Sequence, residues 1–388
     1  MLILFWVCFA VAAYVYIGYP LLLWLDVFGR ATQRRDAHFD RRFIGGSGDV
    51  PLVSVIVAAH NEEVAIEAKI LNLLASDFPR ERLEILIGSD GSSDRTEEIV
   101  RRHQQDGAGL ISFPKQQGKS AMQNGLVAAA SGEILVFTDA DCVSDSAALR
   151  LLVENFADPQ VGLVTGAPRY ANAGETSITE NESAYLGYES WIRQEESRRG
   201  LLAMASGSLF AMRRSLWRPL DRNLGDDFEL PLRTALSGMR NVLERRAVTV
   251  TRLSQNSAVS MFGLKSRIVS KDFKALMDYR AILNPFSHGS IALGLWSHKL
   301  LRWFAPYFLL GIFFSSAFLH SAFYRGLFLL QAAFGILAVL GFFVRGPALV
   351  FPWSTPTSFC VVNLAALVGV WRSLTGRASG RWTPVRDH

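Results

Sequence analysis

The apolar run Ile134-Leu135-Val136-Phe137-Thr138 leads directly into Asp139-Ala140-Asp141, two carboxylates one residue apart. A short β-rich run ending in acids reads as a buried parallel strand whose C-terminal end faces the crevice where open α/β sheets bind ligands. Two acids there suit a hard divalent cation, which takes oxygen ligands and bridges them to substrate phosphates. Asp-x-Asp also occurs in turns and at helix N-caps, so the triplet gains its meaning from what surrounds it.

From residue 52 onward, strand-length apolar runs alternate with helix-length amphipathic stretches, the βαβ signature of a doubly wound sheet. The spacing predicts strands at 52–59, 83–89 and about 110–113, with helices at 62–76, 94–105 and 119–130. The strands end in His60-Asn61-Glu62-Glu63, in Asp90-Gly91-Ser92-Ser93-Asp94 and in the acidic triplet. Asp90 is placed to accept hydrogen bonds from the edge of a nucleotide base. Turn chemistry accounts for Ser92, Ser93 and Asp94, with Gly91 allowing the tight turn and Asp94 capping the next helix. Lys119, in Gln117-Gly118-Lys119-Ser120, opens a helix whose free N–H groups and dipole favour a phosphate; a solvated surface lysine is the alternative. Farther on, Gly225-Asp226-Asp227-Phe228-Glu229 opens a helix that runs to Gly238. One acid can serve as a cap, but two followed by an apolar stripe put at least one into the cleft. A carboxylate held beside a substrate hydroxyl is a suitable general base.

Both ends of the 388-residue chain are apolar, in a composition that is 50% hydrophobic and 19% charged. Residues 2–25 are almost uncharged, long enough to cross a hydrocarbon core of roughly 30 Å, and lack a small-residue cleavage site, which reads as a retained anchor. Arg30, Arg34, Arg35, Arg41 and Arg42 follow it, so the positive-inside rule puts the N-terminus outside and the rest of the chain in the cytoplasm. A nucleic-acid partner for these arginines does not fit beside a span. Three more apolar segments lie at about 303–319, 326–344 and, more weakly, 357–370. Three spans would leave the tail outside, yet it carries Arg372, Arg377, Arg381 and Arg386. Either the last segment is not a simple span or residues 346–357, with three prolines, re-enter the membrane. The implied organisation is an anchor (1–27), a basic linker (28–50), a soluble domain (51–285), an interfacial amphipathic segment (286–302), a membrane bundle (303–372) and a basic tail (373–388). His298 reads as an interfacial residue. Cys8, Cys142 and Cys360 offer neither a disulfide framework nor metal-ligand spacing.

In their order and intervals, residues 53–62, Asp90-Gly91-Ser92-Ser93-Asp94, Gly118-Lys119, Asp139-Ala140-Asp141, Ser206-Gly207 with Arg213-Arg214, and Asp226-Asp227-Phe228-Glu229 carry a family likeness. The chain resembles membrane-bound family 2 glycosyltransferases, the group related to cellulose, chitin, hyaluronan and poly-N-acetylglucosamine synthases. The resemblance implies an α/β GT-A nucleotide-diphospho-sugar transferase domain, a Rossmann-like mixed sheet with N-terminal and C-terminal transmembrane helices. It also implies a UDP sugar as donor and Mg²⁺ or Mn²⁺ as cofactor. Carried over by residue, Ala59 and Glu62 border the uridine, Asp90 contacts the base, and Lys119 lies near the donor. Asp139 and Asp141 mark the ribose and metal site, with Asp141 the direct ligand. Asp227 is the catalytic base and Asp226 its substitute.

One departure stands out. Processive synthases of this group carry Gln-x-x-Arg-Trp at the membrane face, whereas this chain has Lys265-Ser266-Arg267-Ile268-Val269-Ser270-Lys271, without tryptophan. Arg267 is left to serve the phosphates or to sit as a surface cation. Tyr185, Tyr188, Trp191 and Arg193 either line the acceptor site or pack the core. The function implied is inverting sugar transfer, in the inner membrane, to a lipid-linked or polysaccharide acceptor of exopolysaccharide or cell-envelope glycan synthesis. Polysaccharide export components are the further partners it suggests. The rivals are a processive polysaccharide synthase and an inactive nucleotide-binding scaffold of a secretion complex; the intact acids at 139, 141 and 227 argue against the scaffold.

Overall fold

The computed structural model of the chain describes residues 1–29, 50–175, 177–252, 257–343 and 354–377. The arginines expected to orient the anchor, most of the proline-containing stretch and Arg381 and Arg386 lie outside the described residues. Eight strands form one mixed sheet: β1 (Val53–Ala59), β2 (Leu83–Asp90), β3 (Ala108–Phe113), β4 (Ile134–Asp139), β5 (Val143–Ser144), β6 (Val161–Tyr170), β7 (Leu209–Arg213) and β8 (Arg240–Thr251). Their order is β3-β2-β1-β4-β7-β6-β8-β5. The first four run parallel, as the βαβ pattern predicts, while β7 inserts antiparallel between β4 and β6. Doubly wound regularity therefore holds only to residue 139, and the second half completes a mixed sheet.

Every residue of β1 is buried because helices cover both faces. Ile66, Ile70 and Leu73 of α3 (Ile66–Leu74) pack on Val53, Val55 and Val57, and Met122 and Leu126 pack on Ile56 and Ala58 from the other side. The remaining domain helices are α4 (Thr96–Arg102), α5 (Lys119–Ala129), α6 (Ala148–Glu154), α7 (Ser177–Arg198), α8 (Asp226–Leu236) and α9 (Ala258–Asp278). Parallel strands β1, β2 and β4 end on the same edge of the sheet, so their polar terminal residues share one crevice.

The N-terminal segment forms α1 (Leu2–Ala13) and α2 (Tyr19–Trp24), joined without a break by a π-helical turn; these α labels precede α3 in chain order. After α9 come α10 (Pro285–Gly294), α11 (Leu301–Phe318), α12 (Ala322–Phe343) and α13 (Ser354–Leu374). Four helical units are long and apolar enough to cross a membrane: Leu2–Trp24, Pro285–Phe318, Ala322–Phe343 and Ser354–Leu374. The amphipathic segment expected at 286–302 is no separate element. It continues through π-helical Leu295–Leu300 into α11, and His298 within it is buried at 4% exposure.

Helix α1 runs antiparallel to α11 at close range: a Cβ on Gly311 would stand 2.5 Å from Cys8 Sγ, and Tyr14 Oη lies 2.7 Å from Ser297 Oγ. Small residues permit such backbone approach where apolar lipid offers no hydrophobic driving force. Gly311→Val forces the pair apart. We expect a loss of about 1–3 kcal/mol, the usual cost of overpacking, read as a lower midpoint in thermal unfolding of the detergent-solubilised protein. An unchanged midpoint would show that the contact carries no stability.

Candidate active site

The first two strand ends are stitched into one platform. Asn61, at φ 54°, turns so that its N–H donates to Ser92 Oγ (3.0 Å) while its side-chain oxygen accepts from Ser93 N (2.7 Å). Glu62 N donates to Thr96 Oγ1 at 2.7 Å and Glu63 N to Asp94 Oδ2 at 3.1 Å; Asp94 also accepts from Thr96 N at 3.0 Å, but Arg95 rather than Asp94 stands at the N-cap of α4. Gly91 must be glycine: its φ is 63° and a Cβ would meet Gln116 N at 2.9 Å. Asp90 is fully buried and its two oxygens accept from Gln117 N (2.7 Å) and Gly118 N (2.8 Å). Its evident duty is to hold the turn that presents Lys119.

Lys119 is no solvated surface lysine. Its Nζ donates to Asp139 Oδ1 at 2.9 Å and lies 3.3 Å from Asp226 Oδ2, joining the end of β4 to the start of α8. Burial works against its charge, but Asp139 and then Asp226 overrule it and hold the ammonium above the ordinary lysine range. Burial likewise pushes against the Asp226 carboxylate, yet Lys119 and the 2.7 Å bond from Gln123 Nε2 keep it below the usual range. Asp141 rises instead, through loss of water and repulsion from Asp139. Among the described residues no three His, Cys, Asp or Glu side chains converge on a closed metal cage. Two acids, one raised by the other's charge, fit an open site whose remaining ligands come from a substrate.

Gly225 stands at the N-cap of α8, so neither acid caps the helix. The Asp227 carboxylate lies between two glycines: a Cβ on Gly225 would sit 2.9 Å from its Oδ1, and one on Gly207 would sit 3.4 Å from its Oδ2. Its backbone oxygen accepts from Ala205 N at 2.8 Å, pinning the first turn of α8 beside the approach to β7. Burial and then the neighbouring Asp226 charge push Asp227 up to about 6. Glu229 turns elsewhere, to Arg233 and to the Tyr279 hydroxyl at 3.0 Å.

The structure thus brings Asp139, Asp141, Lys119, Asp226 and Asp227 to one crevice edge, beside the platform that bears Ala59, Glu62 and Asp90. Residues 54–220 match the model of glycosyl transferase family 2. Over that stretch the chain is similar to a family 2 glycosyltransferase domain.

Over 196 residues the chain is 32% identical to YdaM of Bacillus subtilis, a probable glycosyltransferase (48% of this chain, 47% of that protein). Over 212 residues it is 29% identical to a beta-monoglucosyldiacylglycerol synthase of Trichormus variabilis (52% and 44%). The chain spans less than half the length of these curated relatives. Across 96% of this chain and 99% of the other, its fold matches a mannosyltransferase of Pyrobaculum calidifontis solved with GDP-Man and Mn²⁺, with a TM-score of 0.69 at 22% identity. The domain has the GT-A fold, and the apolar helices at both ends are long enough to cross a membrane.

Two residues of the domain escaped the sequence. Asp272 of α9 aims its Oδ1 at the same Gly225 face as Asp227, 3.8 Å from where a Cβ would be. Burial and then Asp227 push it up to about 7, against the opposing charges of Lys299, Arg193 and Lys271. Lys69 of α3 is 1% exposed and donates to Thr138 Oγ1 (2.7 Å) and to the Cys142 carbonyl (3.0 Å), clasping both ends of the acidic triplet from behind. The apolar stripe of α3 marked that helix but not the lysine inside it, and Asp272 hid among the charges of α9. Arg267 and Lys271, one turn apart on α9, are both pushed down by burial, Lys271 further by Arg267. Tyr185 and Tyr188 take cations over their rings, with Arg302 at 5.3 and 5.6 Å, and so serve the domain's packing on the membrane helices.

A carboxylate serving as base must be ionised to accept a proton, so activity that rests on Asp227 falls as pH drops through about 6. We expect the acid limb of kcat/KM near pH 6, and Asp226→Asn, which removes the like charge that raises Asp227, to move that limb to lower pH. A limb that stays in place in the variant would contradict the coupling.

Proposed function

We propose that the protein is an inverting glycosyltransferase that moves one sugar from a nucleoside diphosphate sugar, with UDP as the expected carrier, to a lipid-linked or glycan acceptor at the inner membrane. The single observation carrying this reading is the pairing, in one crevice, of a half-buried carboxyl raised to about 6 at Asp227 with the Lys119–Asp139 ion pair. An inverting transfer needs both. The acceptor oxygen attacks the anomeric carbon as the bond from that carbon to the diphosphate breaks, and Asp227 takes the acceptor's proton. Charge gathers on the departing diphosphate, where fixed cations are worth most.

In this reading Ala59 and Glu62 border the nucleoside, and Asp90 acts at the base through the turn it holds. Lys119, with Arg267 and Lys271 from α9, faces the phosphates. Asp139 is engaged by Lys119, which leaves Asp141 as the carboxylate for a divalent cation; bound there, Mg²⁺ or Mn²⁺ would neutralise diphosphate charge. The absence of tryptophan after Arg267 favours transfer of one sugar over processive polymerisation. A pathway of exopolysaccharide or cell-envelope glycan synthesis, with export components downstream, is the setting.

The test is nucleoside diphosphate release from panels of UDP and GDP sugars by detergent-purified protein with Mn²⁺ and membrane lipid extract as acceptor source. The expected result is turnover with one donor, reduced about 10²–10⁴-fold in Asp227→Asn. Turnover that survives the substitution would remove Asp227 from the chemistry, and silence with every donor in membranes that make the glycan would favour the scaffold reading.

A further inference from the structure

By length and composition α13 passes for a membrane span, yet its neighbours do not allow it to cross. It lies alongside α9 over nearly its whole length and in the same direction. Val361 packs with Ala258 and Met261, Gly369 meets Ser266 O and Val269 so closely that a Cβ would be 2.8 Å from each, and Val370 joins the cluster of Phe273 and Leu276. Its beginning is bonded to the domain through Asn181 Nδ2 and Ser358 Oγ (3.4 Å), and its end through Arg372 Nη1 and Ser266 Oγ (3.0 Å). If α13 crossed the bilayer, α9 would have to cross beside it. Helix α9 carries Lys265, Arg267, Lys271, Asp272, Lys274 and Asp278, and each charge at mid-membrane costs several kcal/mol on even the mildest scales.

We propose that α13 lies in the plane of the membrane surface, on the same side as the glycosyltransferase domain, with lipid as its partner. The face turned away from α9 is apolar: Leu364, Trp371 and Leu374 are 54%, 60% and 66% exposed, while Ala365, Ala366 and Gly369 face inward. An in-plane amphipathic helix buries such a face at the headgroup boundary and anchors with an interfacial tryptophan. This surface continues the three remaining apolar units, since Thr357 Oγ1 donates to Ala338 O of α12 and Tyr16 Oη to Asn363 Oδ1. It also resolves the charge conflict of the tail. With three crossings instead of four, Arg372 and Arg377 stay on the side of the domain, as the positive-inside rule requires. Helix α9, which bears Arg267, Lys271 and Asp272, is thereby held on a floor at headgroup level.

Spin labels at Leu364→Cys and Trp371→Cys, in a Cys8→Ala, Cys360→Ala chain reconstituted in phospholipid vesicles, report depth through collision with oxygen and with a water-soluble nickel chelate. An in-plane helix puts both labels at one shallow depth. A span puts residue 364 near mid-plane and about 10 Å deeper than residue 371, seven residues along at about 1.5 Å each, and that result overturns the proposal. Protease added to sealed vesicles of the unsubstituted chain, tagged after His388, supplies the independent readout. Tag and domain digested or protected together support the in-plane helix, and opposite fates overturn it.

Discussion

One ammonium organises the crevice. Lys119 is shared between Asp139 at the end of β4 and Asp226 at the start of α8, which would otherwise repel each other across the gap. Buried acids are tolerated only when paired or protonated. Here the two that touch Lys119 are the paired ones, and Asp141, Asp227 and Asp272, which do not, are pushed up. The same lysine thus separates the two acids it touches from three that burial and like charge push up. Around it the backbone is prepared in advance: Asp90 holds the turn before Lys119, Lys69 clasps the loop of Asp139 and Asp141, and glycines 207 and 225 leave room for the Asp227 carboxylate.

A second set of buried charges joins this domain to the membrane helices. His298 places its ring nitrogens 3.1 Å from Glu189 and 2.8 Å from Glu196, Arg302 reaches Glu189 at 3.3 Å, and Tyr19 donates to Glu196 at 2.7 Å. Removing one member of such a set strands a buried charge, so the set demands that α7, the anchor and the start of α11 keep one arrangement. Lys299, next to His298, also faces Asp272, which brings the membrane junction to the edge of the proposed chemistry.

The first half of the domain was legible because strands and helices alternate cleanly and each strand ends in residues too polar to be core. The paired acids at 139 and 226, and Lys119, were visible as types in a pattern, though the ion pair that joins them requires long-range geometry. Asp90 shows the limit: the residue was found, while its hydrogen bonds to a neighbouring turn could not be read from its own segment. Past residue 160 the order fails, because β6 and β8 pair parallel across bulges while β7 inserts beside β4 from a distant part of the chain. His298 read as interfacial since its carboxylate partners lie more than 100 residues away. Composition placed apolar helices at both ends and stopped there, for an apolar helix on a surface and one through a bilayer can share a hydropathy.

The central claim is that one crevice divides into a half that holds a nucleoside diphosphate with a divalent cation and a half that removes a proton. Calorimetric titration of UDP and GDP into the detergent-solubilised protein, with and without Mn²⁺, measures the first half alone. The account predicts Mn²⁺-dependent binding of one nucleotide that Asp141→Asn abolishes and Asp227→Asn leaves within a few-fold of the parent. Binding indifferent to Asp141, or lost equally in both variants, would contradict it.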